Sequence, residues 1–77
     1  MRATDKEKLF LYRQAFKLSQ DEAARLVGVS KATWNRWERG HIEAPKSVMI
    51  VLELLSHLGK EERDRLVNRL LHKDDVV

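Results

Sequence analysis

The sequence predicts an all-α fold of five short helices. Three observations carry this. No stretch alternates apolar and polar residues as a half-buried strand would. The helix-breaking residues are few and well spaced: Gly28, Gly40 and Gly59 are the three glycines, and Pro45 is the one proline. Two capping boxes, Thr4-Asp5-Lys6-Glu7 and Ser19-Gln20-Asp21-Glu22, stand just before apolar-periodic segments.

The elements follow in order. Thr4 caps a first helix running to about Phe16. Ser19 caps a second, which runs to about Val27 and stops at Gly28, a residue that takes the left-handed conformation cheaply. Ser30 caps a third, ending near Arg39 with Gly40 just beyond. Pro45 suits the first turn of a fourth, which runs to about Leu58 and ends at Gly59. A fifth spans about Lys60 to Leu71, and Asp74-Asp75-Val76-Val77 reads as a frayed tail. Helices two and three are joined by a few residues around Gly28, which is the helix-turn-helix layout. At 77 residues the chain suggests one domain, residues 1–77, with a small core.

Composition removes several classes of function. There is no Cys, so disulfides and thiolate metal sites are excluded. His41, His57 and His72 are scattered without metal-ligand spacing, and no cofactor is expected. No nucleophile–base pair, carboxylate dyad or phosphate-cradling glycine loop is placed by a motif, so an enzyme is not expected. The absence of a long apolar run argues against a signal peptide or membrane span and for a cytoplasmic protein. Net charge is +3, unevenly spread. Residues 1–46 hold ten Lys/Arg against six Asp/Glu, and residues 47–77 hold five against six. The first part suits a polyanion and the second does not.

The third helix, within Ser30–Gly40 (SKATWNRWERG), combines two tryptophans with dense positive charge. At 100° per residue, Trp34 and Trp37 fall within about 60° of each other. Ala32, Arg36 and Arg39 lie opposite, Asn35 at their flank and Lys31 near one edge. The indoles then anchor the helix and the charged face is left free, either for solvent or for a polyanion. Tryptophans stacking on bases is the weaker alternative, because no other helix has the bulk to fill the core. Glu38 lies about 40° from Trp34 on the buried side, where an unpaired carboxylate is very costly. In helix one, Leu9, Tyr12 and Phe16 form an apolar stripe with Arg13 inside it. Two charges out of place predict one ion pair, Arg13 with Glu38, across the core.

Leu18-Ser19-Gln20, Ala24, Gly28-Val29-Ser30 and Glu38-Arg39-Gly40 resemble the Cro/CI-type (XRE-like) helix-turn-helix family in register, over roughly residues 6–58. The resemblance implies a five-helix lambda-repressor-like domain that binds double-stranded DNA. The usual member is a homodimeric transcriptional repressor on an inverted-repeat operator, often from a phage or mobile element. It implies that Lys31, Ala32 and Arg36 face base edges and that Gln20 meets phosphate. Thr33, Asn35, Arg39, His41 and Lys46 fall where further phosphate or groove contacts lie. It also matches the Arg13–Glu38 pair. The chain departs from the pattern at Ala23, at Lys17, at Leu26 and at the two tryptophans. Phe10 and Leu11 lie outside the stripe of helix one, either packed on the C-terminal helix or exposed.

Helix four, SVMIVLELLSHLG with its flanks, is too apolar for one buried face. Val48, Val51, Leu52, Leu55 and Leu58 can face the core, leaving Met49, Ile50 and Leu54 to point elsewhere. Helix five carries Leu66, Val67, Leu70 and Leu71. Ile50, Leu54, Leu66 and Leu70 are therefore candidates for a two-fold dimer interface, although helix five can also cover helix four within one chain. The alternative function is an antitoxin-type interaction module that binds a toxin and autoregulates its operon. RNA binding is disfavoured by the lack of exposed aromatic platforms.

Overall fold

Each of the first three helices begins at a side-chain cap. The computed structural model describes residues 4–72. In α1, Asp5–Ala15, Thr4 accepts a hydrogen bond from the Glu7 amide at 3.3 Å. In α2, Gln20–Val27, both halves of the capping box form: the Glu22 amide donates to Ser19 Oγ at 3.1 Å and the Ser19 amide to Glu22 Oε1 at 2.9 Å. In α3, Lys31–Glu38, the Thr33 amide donates to Ser30 Oγ at 3.1 Å. Each such cap is worth about 1 kcal/mol. The remaining helices are α4, Lys46–Ser56, and α5, Lys60–Leu71, preceded by Pro45 and Gly59 without side-chain caps. The expected frayed tail at 74–77 lies outside the described residues.

The differences from the expected bounds are small and have local causes. Pro45 is the residue before α4 rather than in its first turn, held extended at ψ 145°. α4 stops at Ser56, where the Ser56 hydroxyl donates back to the Glu53 carbonyl at 2.6 Å. The turn after α1 passes through Lys17 at φ 57°, the one described non-glycine residue with positive φ. Gly28, at φ 80°, turns α2 into α3.

The core is built around Trp34, Leu9 and Leu52, which are fully buried, with Phe16, Ala23, Ala24, Trp37, Ala44, Leu55 and Val67 around them. The two indoles sit 5.9 Å apart at 56°, a tilted aromatic pair. Ala23 and Ala24 are the small residues that let α2 approach them. α3 packs on α1 and α2, α4 docks on α1, and α5 docks on α2. At that last contact Arg25 donates from Nη2 to the Leu71 carbonyl at 3.0 Å, satisfying one of the open carbonyls at the end of α5.

The buried face of α4 is rotated from the expected one. Leu52 and Leu55 are buried and Met49 packs against the core, whereas Val51 is 43% exposed. An almost wholly apolar helix has no polar face to fix its phase, so the face that meets α1 is set by packing. α5 does not cover the outer face of α4. Ile50 and Leu54 stay exposed, Leu54 at 63%.

Candidate nucleic-acid interface

The free face of α3 carries cations that the core holds in place. Trp34 and Trp37 are buried on one side, and Lys31, Ala32, Arg36 and Arg39 are exposed on the other. His41 follows in the loop after α3, and Lys46 opens α4; both are exposed. Gly40 holds φ 77° between Arg39 and His41, and the stem of Lys6 lies over it. Thr33 is half-buried, its hydroxyl 3.0 Å from that of Ser30, so it serves the cap of α3. Gln20 and Asn35 are half-buried as well.

Behind this face lies a polar network. Arg13 donates to Glu38 from two nitrogens, Nε to Oε2 at 2.6 Å and Nη2 to Oε1 at 3.0 Å. This is the bidentate fork that a guanidinium makes with a carboxylate. Arg13 Nη1 also donates to the Leu18 carbonyl at 3.2 Å, which ties in the turn before α2. The side chains of the pair are 15% and 8% exposed. Trp34 Nε1 donates to Glu38 Oε2, so the buried indole has its N–H satisfied. Gln20 Nε2 donates to Glu38 Oε1 at 3.5 Å, and Asn35 Nδ2 donates to Gln20 Oε1 at 3.2 Å. One carboxylate thus links α1, α2 and α3.

The charge states follow from these contacts. Burial pushes the Glu38 carboxyl up, but the hydrogen bonds from Arg13, Trp34 and Gln20, with the charge of Arg13, outweigh it and hold it below its ordinary value. The hydrogen bond to Glu38 raises Arg13, against a smaller opposing effect of burial. Both stay charged at neutral pH. Phe10 lies over Arg13, its ring centroid 5.5 Å from the guanidinium carbon, a cation–π contact. It is still 46% exposed, and Leu11 beside it is more so.

The structure brings Gln20, Asn35, Arg13 and Glu38 into one network, and it sets Lys31, Ala32, Arg36, Arg39, His41 and Lys46 on the surface. Ile50 and Leu70 are exposed with Leu54, while Leu66 is half-buried against the core of its own chain. Sequence reasoning missed the Gln20–Asn35 contact and the Arg25 cap on α5. Among the described residues, no group of His, Asp or Glu is placed to hold a metal ion, and no helix is long and apolar enough to cross a membrane.

The sequence model of a family described as helix-turn-helix domain matches residues 7–66, which is most of the chain. No curated protein and no solved structure gives a significant match.

Proposed function

This chain belongs to the helix-turn-helix domain family, and we propose that it is a sequence-specific regulator of transcription that binds double-stranded DNA. The observation that carries this reading is the free face of α3. Arg36 and Arg39 stand exposed with Lys31 and Ala32 on a helix whose opposite side is fixed by two buried tryptophans. A rigid helix with one short residue among cations is suited to lying in a major groove about 12 Å wide. Arg36 reads a guanine through its O6 and N7 acceptors, Lys31 flanks it, and Ala32 allows close approach. Arg39, His41 and Lys46 contact phosphates on either side.

The protein acts as a homodimer through Ile50, Leu54 and Leu70, with Leu66 at the margin. Two copies of α3 held about 34 Å apart read an inverted repeat, and occupancy of such a site represses transcription. These residues act as one domain in the cytoplasm, without catalysis or cofactor. The exposed Phe10 and Leu11 on α1 favour one second reading, a toxin-binding antitoxin that also binds its operator.

Selection from a random duplex library at near-physiological salt tests the first reading, with Arg36→Ala alongside. An enriched inverted repeat that loses one base preference in the variant supports it. No enrichment by folded protein refutes it and turns attention to a protein partner. Lys46→Ala separates the roles: it weakens all sequences alike and flattens the plot of log K against log salt by about one unit.

A further inference from the structure

We propose that Asn35 reads an adenine in the major groove and that the half-buried Glu38 carboxylate, acting through Gln20, sets which way its amide faces. This rests on the DNA-binding reading above and gives Asn35 a base-reading role where a phosphate or groove contact is expected.

An ionised carboxylate only accepts hydrogen bonds. Glu38 Oε1 therefore takes the NH2 end of the Gln20 amide, 3.5 Å away. That turns Gln20 Oε1 toward α3, where it meets Asn35 Nδ2 at 3.2 Å. Reversing Asn35 would set its Oδ1 against Gln20 Oε1. Reversing Gln20 to relieve that clash would set Oε1 against the carboxylate. The half-buried Glu38 carboxylate thus favours one orientation of the Asn35 amide.

Gln20 takes one hydrogen of Asn35 Nδ2. The second hydrogen and Oδ1 make no other hydrogen bond among the described residues. This acceptor–donor pair complements the N6 amine and N7 of adenine. Guanine presents two acceptors at the same edge, so an amide held in this sense repels its O6. Phosphate, which only accepts, leaves Oδ1 unmatched. By helical stepping Asn35 lies about 40° from both Lys31 and Arg39 and about 100° from Arg36, so it meets a different base pair from the one Arg36 meets.

Duplexes from the selection, carrying each of the four bases at every half-site position, are titrated by fluorescence anisotropy. Asn35→Ala retains the fold, since Ala suits a partly exposed helix position, and circular dichroism checks this. The expected result is an adenine preference in the wild type at one position of each half-site. Asn35→Ala lowers affinity for that duplex about tenfold or more and flattens the preference there. Gln20→Met, which keeps length but removes both amide contacts, narrows the adenine-to-guanine ratio severalfold and leaves the Arg36-dependent position intact. Equal loss on all four bases in Asn35→Ala, or no loss, overturns the proposal. An unchanged adenine-to-guanine ratio in Gln20→Met overturns the orienting role. A wild type that selects a site with no adenine preference refutes this inference alone, and one that selects nothing refutes the DNA-binding reading with it.

Discussion

Replacing Arg13 with Ala removes three hydrogen bonds at once: those at 2.6 and 3.0 Å to Glu38 and that at 3.2 Å to the Leu18 carbonyl. Breaking a buried pair by deleting one partner costs about 3–5 kcal/mol, chiefly because a buried charge is stranded. Here the stranding is incomplete. Glu38 keeps the Trp34 and Gln20 donors, and its side chain is 8% exposed to water. The expected loss is therefore about 2–4 kcal/mol, or a fall in Tm of roughly 10–30 °C for a chain this small. Against a total stability near the low end of 5–15 kcal/mol, that is a large fraction.

The loss carries a pH signature. In the wild type the folded pKa of Glu38 is depressed, so its contribution is present above the unfolded value, near 4.5, and fades as pH falls through the folded one. In Arg13→Ala the hydrogen bond and the charge that lowered this pKa are gone, while burial still raises it. Protonation then relieves the variant at a higher pH than it penalises the wild type. Urea denaturation at pH 7 and again below pH 4.5 shows a stability gap that narrows in acid. Equal stability at pH 7 refutes the reasoning, and a gap of the same size at both pH values refutes its electrostatic part. Pairing Arg13→Met with Glu38→Leu isolates the coupling, because the double variant loses less than the sum of the singles.

Three further perturbations test separate parts of the structure. Gly40→Ala forces a side chain into φ 77° and costs about 1–2 kcal/mol; adding Lys6→Ala clears the Lys6 Cδ that stands 3.0 Å from the new Cβ but does not restore stability, because the backbone is the cause, and thermal melts of both variants decide this. Lys17→Gly relieves the left-handed turn after α1 at an exposed site and raises stability by up to about 1 kcal/mol, an effect read by the same melts. Leu54→Glu places a charge on a side chain that is 63% exposed, so the folded monomer keeps its stability while the proposed dimer dissociates; light scattering that gives the same mass for variant and wild type at micromolar concentration sinks the dimer face.

The five helices were legible because their ends are written locally. Thr4, Ser19 and Ser30 each accept from the amide three residues on, and Gly28 takes the left-handed turn, so each boundary depends on neighbours in sequence. Helix α4 was only half legible. Its existence follows from the apolar run, but its phase does not, because residues 48–52 and 54–55 offer no polar side to orient it. Hence the sequence places Val51 inside and Met49 outside, whereas docking on α1 buries the Leu52–Leu55 side and half-buries Met49. α5 docks on α2 through buried Val67 with Leu66 and Leu71 at its margin, and Arg25 also reaches the Leu71 carbonyl, 46 residues away, a contact that nothing local marks.

In the site, legibility followed the cost of misplacement. Arg13 and Glu38 each interrupt an apolar stripe, and a charge there demands a partner, so their juxtaposition in α1 and α3 could be inferred from two helical wheels. Gln20 and Asn35 interrupt nothing. Each is a polar residue beside an exposed face, and only the approach of α2 to α3 brings their amides to 3.2 Å. The same difference separates stability from specificity by experiment. Arg13 contacts Glu38 and the Leu18 carbonyl but makes no hydrogen bond to Gln20, so Arg13→Ala lowers the folded fraction while leaving the Gln20–Glu38 contact to orient Asn35 in the molecules that remain folded. Gln20→Met acts in the opposite sense. It leaves the bidentate ion pair and the Trp34 contact in place, keeps most of the stability, and frees the surface amide to turn. If the two variants changed base preference alike, the ion pair would be orienting the reading face as a whole, and the amide relay would have no separate role.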